Sequence, residues 1–99
     1  MTRVTTETVF RQAERTASRV LDGRAIVVVI DRQYLHTLNR VGTRIWELAG
    51  LDGRRVDEIA DALAREFDVD RRTLLDHVVK FAEELLEVEA VELGKGATR

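Results

Sequence analysis

At 99 residues the chain has material for one modest domain, and a 44% share of apolar residues is enough to fold it around a core. Charged residues make up 34% of the chain but balance to a net charge of −2, which is a mixed, soluble surface without the basic excess of a nucleic-acid or membrane binder. Cysteine is absent, which excludes disulfides and thiolate metal sites, and proline is absent too, so no ring constraint interrupts a helix or strand.

The opening stretch MTRVTTETVFRQAERT lacks the apolar core of a signal peptide. No run approaches the ~20 apolar residues of a membrane span, and the cytoplasm is the expected compartment. Residues 1–14 have no clear period. They read as a loose arm in which Val9, Phe10 and Ala13 could form a short helical turn. The folded domain is expected over 15–93, with 94–99 as a frayed tail.

Within the domain, Ala17 to Leu21 reads as a short strand. Asp22-Gly23 is a strong hairpin signal, because both residues tolerate the positive φ of a tight turn. The β-branched run Ala25-Ile26-Val27-Val28-Val29-Ile30 is apolar on both faces, so as a strand it needs cover on both sides or awaits a partner. Asp31-Arg32-Gln33 reads as a turn and Tyr34 to Leu38 as a third strand, which completes an antiparallel meander.

The period then becomes helical. Asn39 is a good N-cap, followed by a stripe of Val41, Ile45, Leu48 and Ala49 with Trp46 beside it, and Gly50 and Asp52-Gly53 close the helix. A second stripe runs Val56, Ile59, Ala60, Leu63 and Phe67, with Asp57 and Glu58 at the favourable N-terminal end. Asp70 caps a third helix with the longest stripe: Leu74, Leu75, Val78, Val79, Ala82, Leu85 and Leu86. Val91 and Leu93 either add a short strand or close the core. Three strands followed by three helices make an α+β domain. It is winged-helix-like: a three-stranded antiparallel sheet followed by a three-helix bundle.

The residues offer little chemistry. His36 and His77 are the only histidines, and Asp76-His77 with Lys80 is not a metal-ligand spacing. Ser18 lacks the Gly-flanked elbow that exposes a nucleophilic serine. Gly94-Lys95-Gly96 is not a phosphate loop, because no helix follows it. Glu83, Glu84 and Glu87 read as a solvated helix face. The third helix sets Arg71, Arg72 and Lys80 against Asp76, Glu83, Glu84 and Glu87, and this acidic balance disfavours DNA reading. No metal, cofactor or catalytic group is therefore assigned. The open sheet edge points to binding instead, with strand exchange between two copies, giving a homodimer or scaffold module, as the other use of the same edge.

The series Leu35-His36-Thr37-Leu38-Asn39, Val41-Gly42-Thr43-Arg44-Ile45-Trp46-Glu47-Leu48, Asp52-Gly53 and Val56-Asp57-Glu58-Ile59-Ala60, with Leu63, Phe67 and a closing amphipathic helix, resembles the PqqD family. The likeness runs from about Ala17 to Leu93 and leaves the N-terminal arm uncovered. It implies a peptide chaperone, or RiPP recognition element. Such a domain binds the leader of a ribosomally made precursor peptide and presents it to a modifying enzyme, a radical-SAM or other peptide-modifying protein. The resemblance further implies that the leader adds as a strand to the third strand and lies against the third helix. Carried onto this chain, the edge would be Gln33, Tyr34, Leu35, His36, Thr37 and Leu38, and the groove wall Leu75, Val78, Val79 and Ala82.

Overall fold

In the computed structural model, residues 4–94 are described. The β-branched run forms the central strand of a meander of β2 (Thr16–Leu21), β3 (Arg24–Val29) and β4 (Tyr34–Thr37), in the spatial order β2-β3-β4. Its first turn is Asp22-Gly23, with φ of 54° and 78°, the pair of positive values that a two-residue hairpin closing Leu21 onto Arg24 requires. The second turn is a short 3-10 segment, Ile30–Arg32, closed by Gln33 in the left-handed region at φ 51°.

Helix α1 (Arg40–Ala49) starts where the sequence places it: Asn39 Oδ1 accepts the Gly42 N–H at 2.7 Å. α2 (Val56–Glu66) and α3 (Arg71–Glu87) follow. Asp70 holds the cap position of α3, but its side chain accepts no helix N–H. α3 ends in a left-handed turn at Glu89, whose N–H bonds Leu86 while Ala90 N–H bonds Leu85, satisfying two terminal carbonyls.

Residues 1–14 are not a loose helical arm over their described part, and this reading is corrected. Val9–Gln12 form β1, which lies between β5 (Arg54–Arg55) and β6 (Val91–Leu93) in a second small antiparallel sheet. The physical reason is Phe10, which is fully buried and stacks in tilted contact with Phe81 of α3 at 6.3 Å between ring centroids. Backbone bonds fasten the same stretch elsewhere: Gln12 N–H to Gly50 C=O, Ala13 N–H to Ala90 C=O and Gly94 N–H to Val9 C=O. Val91 and Leu93 thus lie in a strand. Of the expected tail, residues 95–99 lie outside the described residues.

The core is continuous through both sheets. Ala25, Val27 and Val29 on one face of β3 meet Ile45, Trp46 and Ala49 of α1, Ile59, Ala60 and Leu63 of α2, and Leu74, Val78 and Leu85 of α3. Trp46 joins the two sheets: its indole N–H donates to Ser18 Oγ of β2 at 3.1 Å, and its carbonyl accepts from Gln12 Nε2 of β1 at 2.9 Å.

Candidate functional site

β4 is an edge strand, and its hydrogen-bond phase is fixed by its exit. Leu38 N–H donates to Ala25 C=O at 2.8 Å. In an antiparallel ladder, successive residues turn their main-chain groups to opposite sides. His36 and Tyr34, opposite Val27 and Val29, therefore bond to β3, while Leu35 and Thr37 point N–H and C=O away from the sheet. The outward row is unpaired by any strand among the described residues. Thr43 of α1 anchors this end of the sheet, since its buried Oγ1 accepts the Ala25 N–H at 2.8 Å. Arg24 Nε donates to the Leu38 carbonyl at 3.2 Å and steadies it from the other side.

Two contacts bracket β4 along α3. At its start, Arg32 pairs with Glu89, just past the C-terminus of α3, at 3.3 Å. Beyond its end, Gly42 lies so near Phe81 that a methyl there would sit 3.5 Å from Phe81 Cε2. At this second contact a cleft of about 490 Å³ opens between α1 and α3. Its α1 side is Asn39, Val41, Gly42 and Ile45; its α3 side is Thr73, Asp76, His77, Lys80 and Glu84, with Phe81 on the floor. An apolar floor with a polar rim is what a groove needs to hold a side chain and choose among several.

The structure sorts the sequence-derived edge and wall residues. Leu35 is 62% exposed, Gln33 and Thr37 are exposed, and Tyr34 and His36 are half-buried, their rings stacked and the Tyr34 hydroxyl 3.1 Å from His36 Nδ1. Leu38 is not part of the accessible edge. It is buried at 4% exposure and serves the core, a correction to its expected place. Val78 and Ala82 are likewise corrected: both are wholly buried and offer no wall. Leu75 and Val79 are half-buried against the core. At 100° per residue they fall on the flank of the Leu74–Val78–Phe81–Leu85 stripe opposite to Thr73, His77, Lys80 and Glu84. The cleft-facing wall is thus the polar flank, which the apolar stripe does not reveal. The nearest signal in the sequence was the spacing 73, 77, 80, 84, itself a helix face.

Three of the arginines that a nucleic-acid reading would draw on, Arg44, Arg55 and Arg71, are engaged in ion pairs. Arg44 forks onto Glu66 at 2.8 and 2.7 Å and also reaches Glu47 at 2.8 Å. The hydrogen bond from Arg44 holds the Glu66 carboxyl below its ordinary value, and those from Glu66 and Glu47 raise the Arg44 guanidinium above its own. Arg55 on Asp57 does the same across the start of α2, lowering Asp57. Arg71 is raised by its hydrogen bond to Asp61, 2.6 Å away. Among the described residues, no three His, Asp or Glu side chains gather into a set that could hold a metal ion. No helix there is long and apolar enough to cross a membrane.

Fold and edge together define a small α+β domain whose third meander strand is an open sheet edge. The profile of the family described as coenzyme PQQ synthesis protein D (PqqD) matches residues 24–91, and the chain belongs to that family. Among solved structures it is similar to TbiB1 in complex with the TbiA(beta) leader peptide, at 30% identity and a TM-score of 0.74, over 83% of this chain and 94% of that one. Among curated proteins none matches.

Proposed function

We propose that this chain is a noncatalytic carrier for a ribosomally made precursor peptide, acting in the cytoplasm where such precursors are synthesised. The leader adds as a fourth strand to β4. It bonds main chain to main chain with Leu35 and Thr37, and alternate side chains turn toward α3 and the cleft floored by Phe81. A separate peptide-modifying enzyme, of the radical-SAM type or another, then acts on the rest of the peptide. The observation that carries this reading is the outward row of main-chain donors and acceptors on β4, held rigid by Thr43 and bracketed along α3. Membership of the PqqD family and the likeness to a chain solved with a leader peptide support it. Of the wall expected from sequence, the reading keeps none of the buried members and substitutes His77, Lys80 and Phe81.

The test is Leu35→Pro. Proline removes an N–H that β3 does not use, and an edge strand tolerates it. His36→Pro, by contrast, breaks the β3 ladder. Titrated with precursor leader peptides, the TbiA(beta) leader first, the Leu35→Pro protein should stay folded and lose about tenfold to hundredfold of the wild-type affinity, the worth of one unmade hydrogen bond in a desolvated ladder. Unchanged affinity, or amide shifts centred on β2 rather than residues 33–37 and α3, refutes the placement.

A further inference from the structure

Tyr34 and His36 stand two residues apart on β4, so their side chains share a face, the one opposite Val27 and Val29. It is the inner face of the sheet: Val27 and Val29 are buried in the core, and so is Leu38, the next residue of the same row. Tyr34 and His36 complete this row at the open edge, where they are half-buried, with Tyr34 packed against the core. Their rings lie 11° from parallel with centroids 5.9 Å apart. The Tyr34 hydroxyl and His36 Nδ1 share a hydrogen bond at 3.1 Å, so each ring orients the other. Two of the three polar atoms of the pair are thereby spent on each other, and the edge presents mostly aromatic surface.

We infer, resting on the carrier reading above, that the Tyr34–His36 pair determines which leader binds, by reading two leader side chains two positions apart, both apolar and either aromatic or β-branched. The hydrogen-bond phase of β4 carries this. Leu35 and Thr37 turn their main-chain groups outward, so in a strand added antiparallel they form the hydrogen-bonded pairs, and Tyr34 and His36 fall in the non-hydrogen-bonded ones. Partners in a non-hydrogen-bonded pair stand about 4.5 Å apart at Cα, against about 5.5 Å in a bonded pair, and their side chains come closer. The two leader residues so placed also point to the inner face, beside the core. The leader residue between them, opposite Leu35, points to the outer face, where Leu35 itself is 62% exposed. Main-chain bonding at Leu35 and Thr37 holds any extended peptide alike, so choice among peptides passes to the inner pair. Aromatic side chains pair best across strands with aromatic or β-branched ones. A charged side chain in either inner place would lose water and meet, of the pair's polar atoms, only His36 Nε2 free to answer it.

The experiment is a set of double-mutant cycles on the full chain, read by fluorescence anisotropy with labelled precursor leader peptides, the TbiA(beta) leader first. Each leader residue is replaced in turn by alanine, and every peptide is titrated against the wild type, His36→Ala, Tyr34→Phe and Leu35→Ala. Tyr34→Phe keeps the ring and removes only the hydroxyl that orients His36. Alanine should cost the wild type about threefold to tenfold at two leader positions two apart. In His36→Ala the cost at one of these should shrink by about twofold to fivefold, and in Tyr34→Phe it should shrink in part at the same positions. Leu35→Ala should couple to the position between them alone, and lysine at that position should be tolerated within about twofold. If His36→Ala fails to fold, Tyr34→Phe decides. Coupling that is absent, spread evenly along the leader or confined to neighbouring positions overturns the inference, because a pair that merely closes the sheet edge would weaken every peptide alike. Full retention of affinity with a carboxylate in either inner place overturns it too. A wild-type chain that binds no precursor leader is a different result, and it sinks the carrier reading itself.

Discussion

Thr43→Val is the sharpest probe of how the binding edge is held. The substitution keeps the shape and burial of the side chain, which is 3% exposed, and removes only the hydroxyl that accepts the Ala25 N–H at 2.8 Å. Ala25 is fully buried, so its N–H then has no water to turn to. An unsatisfied buried donor costs about 1–3 kcal/mol, a large share of the roughly 5–15 kcal/mol that stabilises a domain. In a domain of this size each kcal/mol moves Tm by about 4–8 °C, so the midpoint should fall by at least about 4 °C. Thermal melts and urea titrations followed by circular dichroism measure the loss. Amide hydrogen exchange locates it: the Ala25 amide should lose protection, and Leu38, which bonds back to Ala25, should follow in part. Thr43→Ser retains the acceptor, and its Ala25 amide should stay protected. The reasoning is refuted if Thr43→Val melts with the wild type and Ala25 stays protected. Ala25 would then have recovered the Leu38 carbonyl that Arg24 Nε now occupies.

Phe10→Ala should cost about 3–5 kcal/mol, enough to leave much of the protein unfolded at 37 °C, because the ring is fully buried against Phe81; near-wild-type stability by urea titration would return the first residues to the status of a dispensable arm. Acid should weaken the fold through Glu66 and Asp57. Their carboxyls are held below the ordinary values of 4.5 and 3.8 in the folded state, so the stability they confer is full above those values and is lost as pH falls through the lower folded ones. Both groups are near the surface, so the effect should be modest, and it should shrink in Arg44→Gln, where Glu66 loses its partner; urea midpoints between pH 6 and pH 3 at fixed salt measure it.

Local chemistry made the meander and the helices legible. A short strand before Asp22-Gly23 and a β-branched run after it admit little but a hairpin, and Asn39 capped the helix that its position announced. β1 was hidden for the opposite reason. Val9–Gln12 shows no alternation, and its partners are a two-residue strand and a three-residue strand from the far end of the chain, so nothing within a short window announces the pairing. The candidate site divides in the same way. The edge follows from strand order, which local patterning supplies. The wall depends on which flank of α3 faces α1, and a helical stripe has two flanks of equal standing. Reading apolar residues as wall therefore chose residues the core had already claimed, Val78 and Ala82 among them.

Trp46 is the only tryptophan in the chain, and its indole is 2% exposed where the two sheets meet. Its emission is thus a built-in optical gauge. Released from the core, the ring passes from an apolar to an aqueous setting, and its spectrum moves to the red only when β1, β2 and α1 separate. A peptide settling on β4 would lie on the other side of β3 from the Trp46–Ser18 contact, so the emission should change little on loading. The same cuvette can therefore follow unfolding by intrinsic fluorescence and peptide loading by an extrinsic dye, without either signal contaminating the other.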